Sequence, residues 1–319
     1  MNLEQLIDKL KTDSAIKANL TAWQTLPPVQ ARYADFPREL DPRIVAALNE
    51  RGIRQLYTHQ QQAIEAALAG QNTVVVTPTA SGKTMCYNLP VLNQILKDPS
   101  SRALYMFPTK ALAQDQVAEV KSLADKLGAD IKSYVYDGDT PPGVRQVCRQ
   151  AGHIVITNPD MLHTGVLPHH TKWVKLFENL KYIVIDELHQ YRGVFGSHLA
   201  NLLRRLRRIC EFYGSNPVFL CSSATIANPQ ELAERLLEAP VRLIDENGAP
   251  RGEKHFLLYN PPLVGRDGLR ESAINSATRV AAELLKNSVQ TIVFARSRQN
   301  VEILTTYLRE RVGGTRAGK

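Results

Sequence analysis

The chain has 319 residues, a net charge of +8 and an apolar fraction of 44%, values typical of an ordinary globular protein of one to three domains. No apolar run is long enough to span a membrane, and the first residues lack the apolar core of a signal peptide. The four cysteines form no CxxC pair, which argues against a disulfide framework or a zinc site in this chain and favours a cytoplasmic protein. The basic balance weakly favours nucleic acid as a partner over membrane.

The first 52 residues are predicted to be a polar, helical extension. In the stretch LDPRIVAALNERGI, apolar residues recur at the spacing of a helix. Asp41 is the expected N-cap, because a short acidic side chain can accept from the free amides of the first turn. Pro42 would then occupy the first helical position, where its missing N–H costs nothing.

From residue 53 onwards, short β-branched runs alternate with helical stretches. This alternation predicts an α/β domain over residues 53–245, with a doubly wound, mostly parallel sheet covered on both faces. The predicted strands are residues 72–77, 102–107, 131–136, 153–157, 182–186, 217–223 and 241–245, and the predicted helices include residues 59–69, 83–96, 110–127 and 197–212. On the predicted helix at residues 197–212, leucines share one face and four arginines lie outside that face. A core-facing helix is favoured there over a nucleic-acid track.

The turn-rich stretch ENGAPRGEK at residues 246–254 predicts a linker. A shorter α/β pattern follows it over residues 255–319. Its predicted strands are residues 255–260 and 291–295, and its predicted helices are residues 271–287 and 297–311. Because two strands cannot form a sheet that is covered on both faces, we expect this second domain to be incomplete.

The stretch TPTASGKT at residues 77–84 follows a predicted strand and opens a predicted helix. It fits the phosphate-binding pattern G-x-x-x-x-G-K-[ST], except that Thr77 stands in place of the first glycine. Lys83 would reach the β- and γ-phosphates of a nucleotide, and Thr84 would bind Mg²⁺. The alternative is a polar turn that contains GKT by chance. The candidate residues for ATP binding in this loop are Thr79, Ala80, Ser81, Gly82, Lys83 and Thr84.

The stretch YIVIDELHQY at residues 182–191 places two acids at the end of an apolar strand. Charge at this position is costly unless it is paired or binds a metal. Asp186 is therefore a candidate second holder of Mg²⁺, and Glu187 a candidate to orient or deprotonate the attacking water. His189 could relay between this site and a neighbouring loop. The alternative is that Asp186 merely caps a helix that begins at Glu187.

With GKT and DELH in one chain, the sequence resembles the DEAD/DEAH-like helicases of superfamily two, whose RecA-like domains belong to the P-loop NTPases. LYTHQQQAI, FPTKALAQDQ, YDGDTP, TNPDML, SSAT and TIVFARSRQNVE resemble further motifs of that superfamily, in the same order. The longer string DELHQYRGVFGSHLANLLRRLRRIC resembles the MrfA-type DNA repair helicases, relatives of the RecQ-like helicases. The resemblance covers about residues 30–319.

The resemblance implies further site residues. Gln60 would read the adenine edge, and Tyr57 would either stack on the base or belong to the core. Ser222 and Thr225 would couple the nucleotide site to the nucleic-acid site, and they are placed to touch His189. The candidate contacts to the nucleic-acid backbone, which would carry little base specificity, are Pro108, Thr109, Lys110, Gly138, Thr157 and Asn158.

The resemblance implies an ATP-dependent, 3′-to-5′ DNA helicase or translocase that acts in DNA repair. Motifs V and VI, which carry the family's arginine fingers, are not found, and Arg309, Arg311 and Arg316 do not replace them. We therefore expect the N-terminal portion of a helicase, weak or inactive by itself, with a fragment that binds ATP and nucleic acid without unwinding as the alternative. An RNA helicase is less favoured, since DEAD-box RNA enzymes carry alanine and aspartate at the positions of Leu188 and His189.

Overall fold

The computed structural model describes residues 3–265 and 268–313. The chain divides into two compact units. We call Gln30–Arg251 the sheet unit, and we call Met1–Val29 together with Gly252–Lys319 the terminal unit. No helix in the described ranges is long and apolar enough to cross a membrane.

The strands are β1 (Leu20–Leu26), β2 (Tyr33–Ala34), β3 (Leu56–Tyr57), β4 (Thr73–Val76), β5 (Arg102–Met106), β6 (Ser133–Val135), β7 (Ile154–Thr157), β8 (Leu180–Ile185), β9 (Val218–Ser223), β10 (Arg242–Ile244), β11 (Lys254–Tyr259), β12 (Leu263–Val264) and β13 (Leu269–Arg270). The α-helices are α1 (Leu3–Thr12), α2 (Ser14–Lys17), α3 (Pro42–Glu50), α4 (Thr58–Leu68), α5 (Lys83–Lys97), α6 (Lys110–Ala124), α7 (Pro142–Ala151), α8 (Pro159–Met161), α9 (Val174–Glu178), α10 (Gly193–Phe212), α11 (Pro229–Leu237), α12 (Ala273–Lys286) and α13 (Arg298–Val312). Shorter 3₁₀ or π turns are Asp125–Leu127, Leu162–Val166, Leu167–Lys172 and Leu188–Gln190.

The sheet unit contains seven hydrogen-bonded strands in the order β10-β4-β9-β8-β5-β7-β6, and every neighbouring pair is parallel. Side chains alternate between the two faces, as the pleat requires. On β5, Leu104 and Met106 enter one apolar cluster, whereas Tyr105 enters another on the opposite face. The predicted parallel sheet, buried on both faces, is confirmed.

Helix α10 shows why its leucines and arginines separate. Leu199, Leu203 and Leu206 are buried in the cluster on one face of the sheet. Two of the arginines bind α11 and its end, since Arg204 forms an ion pair with Glu238 and Arg207 donates to the carbonyl oxygen of Leu237. These contacts favour the core-facing interpretation of this helix.

The prediction of a helical extension over residues 1–52 is wrong for Leu20–Leu26. This segment forms β1, which pairs antiparallel with β11 of the terminal unit. Trp23 packs edge-on against His255 within that pair. The partner strand lies more than two hundred residues away in the chain, so local propensity does not reveal it. Residues 30–52 belong instead to the sheet unit. There α3 begins as expected, with Asp41 accepting from the amide of Arg43 and Pro42 as its first residue.

The first half of the predicted linker at residues 246–254 packs against other residues of the sheet unit. The carbonyl oxygen of Gly248 accepts from the amide of Arg32, and Ala249 is buried. A Cβ on Gly248 would lie 2.4 Å from the hydroxyl of Thr58. Only glycine therefore allows this close approach. The sheet unit ends at Arg251, later than the predicted boundary at residue 245.

The predicted strand at residues 291–295 is wrong, since this stretch forms no regular element. Ile292 and Phe294 are 77% and 90% exposed. A strand is stable only beside a hydrogen-bonding partner, and the nearest predicted strand, now β11, pairs with β1 instead. The other predicted elements of this region, β11, α12 and α13, form close to their expected bounds.

Candidate functional site

The loop between β4 and α5 has the geometry of a phosphate cradle. Ala80 and Gly82 both take left-handed backbone conformations, with φ of 65° and 76°. Gly82 is the N-cap of α5, so the free amides and the positive end of this helix point toward the loop. Thr77, in place of the first glycine of the pattern, is fully buried, and its hydroxyl bonds that of Ser81 at 2.6 Å. The stretch TPTASGKT therefore forms an ordered loop, in which the bond between Thr77 and Ser81 holds the turn before α5.

Gln60 is anchored to this loop. Its side chain is 3% exposed, its Oε1 accepts from the amide of Tyr57, and its Nε2 donates to the carbonyl oxygen of Gly82 at 3.0 Å. A Cβ on Gly82 would lie 2.5 Å from Nε2, which adds a packing reason for glycine there. Two bonds already engage the amide, so Gln60 positions the loop whether or not it also meets a base. Tyr57 stacks between Tyr33 and His59.

His59 links the loop to the end of the sheet unit. Its Nδ1 accepts from the amide of Gly248 at 3.2 Å, which leaves the proton on Nε2 to donate to the carbonyl oxygen of Ser81 at 3.1 Å. Burial lowers the pKa of His59 from its ordinary 6.5 to about 4. The ring is therefore neutral in the folded protein. Motif reasoning from the sequence did not single out this residue.

This lowered pKa predicts a loss of stability in acid. An unfolded His59 takes up a proton near its ordinary pKa of 6.5, whereas the folded one resists until about 4. The free energy of unfolding should therefore fall as pH drops through that window. In His59→Gln, which keeps a donor and an acceptor but cannot titrate, urea unfolding at about pH 7.5 and about pH 5 should show a weaker pH dependence. The exposed His198→Gln is the matched control, and equal dependence in His59→Gln and wild type would contradict this role.

Asp186 and Glu187 lie at the carboxyl end of β8. Oδ1 of Asp186 accepts from the hydroxyl of Ser222 and from the amide of Glu187. Glu187 has a left-handed φ of 53° and is itself the N-cap of the 3₁₀ turn Leu188–Gln190, so Asp186 does not cap a helix that begins at Glu187. Burial raises the pKa of Asp186, while the bond from Ser222 opposes that shift. Asp186 is thus a buried carboxylate with one oxygen, Oδ2, outside these bonds.

His189 lies where Glu187 meets the segment after β9. Its Nδ1 is 3.2 Å from Oε2 of Glu187, 3.2 Å from the amide of Ala224 and 3.5 Å from the hydroxyl of Ser223. A neutral ring can accept from Ala224 through Nδ1, whereas a protonated ring can donate to Glu187. The expected contact between SSAT and His189 exists, but through Ser223 and Ala224. Ser222 instead bonds Asp186, and Thr225 is exposed.

Lys83 is the first residue of α5 and lies in the same electrostatic environment as the two acids. Its ammonium donates to the carbonyl oxygens of Thr77 and Pro78 at 2.7 and 3.1 Å. Burial lowers the pKa of Lys83, and the nearby charges of Glu187 and Asp186 oppose that shift. The cation is held by the loop at the place where a phosphate would compete for it.

Thr84, the other polar residue at the start of α5, donates its hydroxyl proton to Oε1 of Glu119 on α6 at 3.1 Å. The lone pairs of its oxygen remain available to a cation. Sequence reasoning missed Glu119, because it lies on a helix between motifs and no spacing rule points to it.

A second group of candidates lies on the same carboxyl edge of the sheet. Thr109 and Asn158 are the N-caps of α6 and α8, and Lys110 pairs with Asp139. Gly138 is exposed at the end of the loop after β6, and Pro108 is partly exposed just before Thr109. Thr157 differs from the prediction, since its buried hydroxyl donates to the carbonyl oxygen of Tyr136 and stabilises the sheet.

A family model described as DEAD/DEAH box helicase matches residues 57–232, more than half of the chain. The uncharacterized ATP-dependent helicase YprA of Bacillus subtilis (strain 168) is 59% identical over 98% of this chain and 41% of its own length. The ATP-dependent helicase HRQ1 of Saccharomyces cerevisiae is 37% identical over 96% of this chain and 29% of its own length. The chain therefore spans less than half the length of these relatives.

The crystal structure of the DUF1998 helicase MrfA bound to DNA superposes with a TM-score of 0.96 at 58% identity. The match covers 100% of this chain and 45% of the MrfA chain. A second MrfA structure, bound to DNA and AMPPNP, gives the same score and identity, with 44% of its chain covered. The RNA-bound DEAD-box helicase Mss116 shares the fold at 20% identity and a TM-score of 0.67. With its RecA-like sheet, its phosphate loop and its DELH acids in place, this chain belongs to the DEAD/DEAH box helicase family.

Proposed function

We propose that this chain is the ATP-binding part of a DNA helicase or translocase, in which Lys83 and the loop of residues 79–84 hold the triphosphate. One observation carries the proposal. The two hydroxyls that end β9 bind two of the catalytic candidates, Ser222 to Asp186 and Ser223 to His189. The nucleotide site is thereby bonded to a neighbouring strand of the sheet whose edge carries the nucleic-acid candidates.

DNA is favoured over RNA as the polymer. The MrfA structures that superpose on the whole chain are bound to DNA. The candidate contacts at Thr109, Lys110 and Asn158 suit phosphate oxygens rather than base edges, so we expect binding with little sequence preference. The 3′-to-5′ direction and a role in DNA repair follow from the resemblance to the MrfA-type helicases. A cytoplasmic location follows from the scattered cysteines, and all three form part of the proposal.

Thr84 and Asp186 fit a magnesium ion. Both offer oxygen, the donor that this hard cation prefers, and Mg²⁺ is commonly held by one or two protein oxygens together with substrate phosphates. Oδ1 of Asp186 is engaged by Ser222 and by the amide of Glu187, which orients Oδ2 for a ligand. When bound, the ion would neutralise charge on the phosphates.

Glu187 is the proposed general base. Its left-handed backbone turns the side chain away from a helical path, and its Oε2 lies beside Nδ1 of His189. The carboxylate can accept a proton from an attacking water. His189 bonds the amide of Ala224 when neutral, so the position of Glu187 is tied to the segment after β9.

The ATPase rate of the intact protein tests this proposal. We expect single-stranded DNA to raise the rate well above the rate without nucleic acid, and RNA of the same sequence to raise it less. DNA binding would supply the contacts that tighten the coupling between β9 and the acids. A rate that no nucleic acid changes would contradict the helicase assignment, and stronger stimulation by RNA would reverse the choice of polymer. Strand separation without measurable ATP turnover would contradict the assigned role of the nucleotide site.

A further inference from the structure

A basic cleft lies beside the candidate nucleic-acid edge, and its basic residues lie outside the motifs named above. It runs between α7 and the segment 161–172, and its volume is about 370 Å³. We call it the α7 cleft. The polar side chains that line it are those of Arg145, Arg149, Thr164, His169 and Lys172.

Two cations, Arg149 and Lys172, line the α7 cleft from different elements. Within residues 3–265 and 268–313, no ion pair involves Arg149 or Lys172, whereas Lys110 pairs with Asp139. The two carboxylates just before α7 are engaged elsewhere, since Asp139 pairs with Lys110 and Asp137 accepts from the hydroxyl of Thr140. A cleft with unneutralised cations attracts an anion.

Arg145 shapes the rim of this cleft. Its Nε donates to the carbonyl oxygen of Thr140, and its Nη2 donates to those of Asp137 and Gly138 at 3.0 Å. The guanidinium also lies 5.5 Å from the ring centroid of Tyr136. Arg145 therefore fixes the loop that presents Gly138 to the edge, and its charge remains at the mouth of the cleft.

The cleft continues from the edge down the side of the sheet. Helix α7 begins four residues after Gly138 and runs away from the edge. Arg149 lies seven residues into it, about 10 Å along the axis at 1.5 Å per residue. The opposite wall begins just after Asn158. At about 3.4 Å per phosphate, a strand that contacts Gly138 and continues along α7 would reach Arg149 after about three phosphates.

We propose that the α7 cleft binds backbone phosphates of DNA that has passed the edge of the sheet. This inference rests on the proposed function, and it extends the DNA path beyond the predicted motifs. The cleft offers an arginine, a lysine and a hydroxyl, which recognise phosphate oxygens and carry no base specificity. The positive charges of Arg149 and Lys172 disfavour the binding of a cation in the α7 cleft.

The test is DNA affinity as a function of salt for the double variant Arg149→Ala/Lys172→Ala in the intact protein. Each lost phosphate contact should reduce the slope of log affinity against log salt by about 0.7 on single strands. We expect a slope smaller by about 1.4 and an affinity about tenfold lower at low salt. Arg149→Lys should retain most of the slope. The affinity for ATP without DNA should be unchanged.

The matched control is Lys121→Ala on α6, which removes one exposed charge on the opposite face of the sheet. It should leave the slope unchanged, whereas Lys110→Ala at the edge should reduce it. A wild-type slope in the double variant, together with a reduced slope in Lys110→Ala, would contradict phosphate binding by the α7 cleft. The proposed function would still stand. A wild-type protein that binds ATP but no DNA would overturn both.

Discussion

Lys83→Ala should both weaken the binding of the triphosphate and slow ATP turnover. The ammonium is half-buried at the start of α5 and is held only by two loop carbonyl oxygens, which phosphate oxygens can replace. Without it, no side-chain cation in this loop faces the β- and γ-phosphates. We expect kcat to fall by about 10²–10³-fold, the size found when one preorganised donor is removed from a charged transition state. Steady-state ATPase and a fluorescent-nucleotide Kd measure the two effects.

The matched control is Lys97→Ala, an exposed lysine at the other end of the same helix. It should leave turnover and nucleotide affinity at wild-type values. Lys83→Ala itself should fold normally, because burial already disfavours its charge. If Lys83→Ala hydrolysed ATP at the wild-type rate, the loop at residues 79–84 would not be the nucleotide site.

Glu187→Gln should slow ATP turnover but leave ATP binding nearly unchanged. The amide keeps the size and shape of the carboxylate and tolerates the same left-handed backbone, but it cannot take a proton from water. Loss of a positioned general base costs about 10²–10⁴-fold in rate. We expect kcat to fall by that factor while the Kd for ATP stays near wild type, since Lys83 and the loop amides are intact. Single-turnover hydrolysis beside equilibrium nucleotide binding would show the split.

An exposed glutamate provides the comparison for this variant. Glu178→Gln at the end of α9 changes the same charge away from the site and should behave as wild type. If Glu187→Gln lost nucleotide affinity as severely as Lys83→Ala, its role would be binding rather than proton transfer. If it kept full turnover, the base would have to be another group.

The sheet could be predicted because its signal is local. Runs such as Val74–Val76 and Ile183–Ile185 are β-branched and apolar on both faces, which is typical only of strands covered by helices on both sides. The positions of the loop at residues 77–84 and of the acids after β8 were predictable for the same reason. Each lies directly after such a run, where parallel strands place their ligands.

The features that sequence reasoning missed depend on distant partners. β1 forms because β11 pairs with it. The predicted strand at residues 291–295 does not form, because no neighbouring strand pairs with it among the described residues. Glu119 reaches Thr84 from another helix, and Ser223 rather than Thr225 meets His189. A pattern of residue types fixes which strand end carries chemistry, but the choice between adjacent hydroxyls depends on the pleat of the folded strand.

The bonds from Ser81 through His59 to Gly248 have a mechanical consequence. Gly248 lies three residues before the end of the sheet unit at Arg251, and a single rigid imidazole joins its amide to the backbone of the phosphate loop. A ring has no internal torsions with which to absorb movement, so displacement of Ser81 is transmitted to the exit of the chain. The polypeptide near the end of this unit is thus hydrogen-bonded through His59 to the loop between β4 and α5, so a shift of that loop would strain the last residues of the sheet unit.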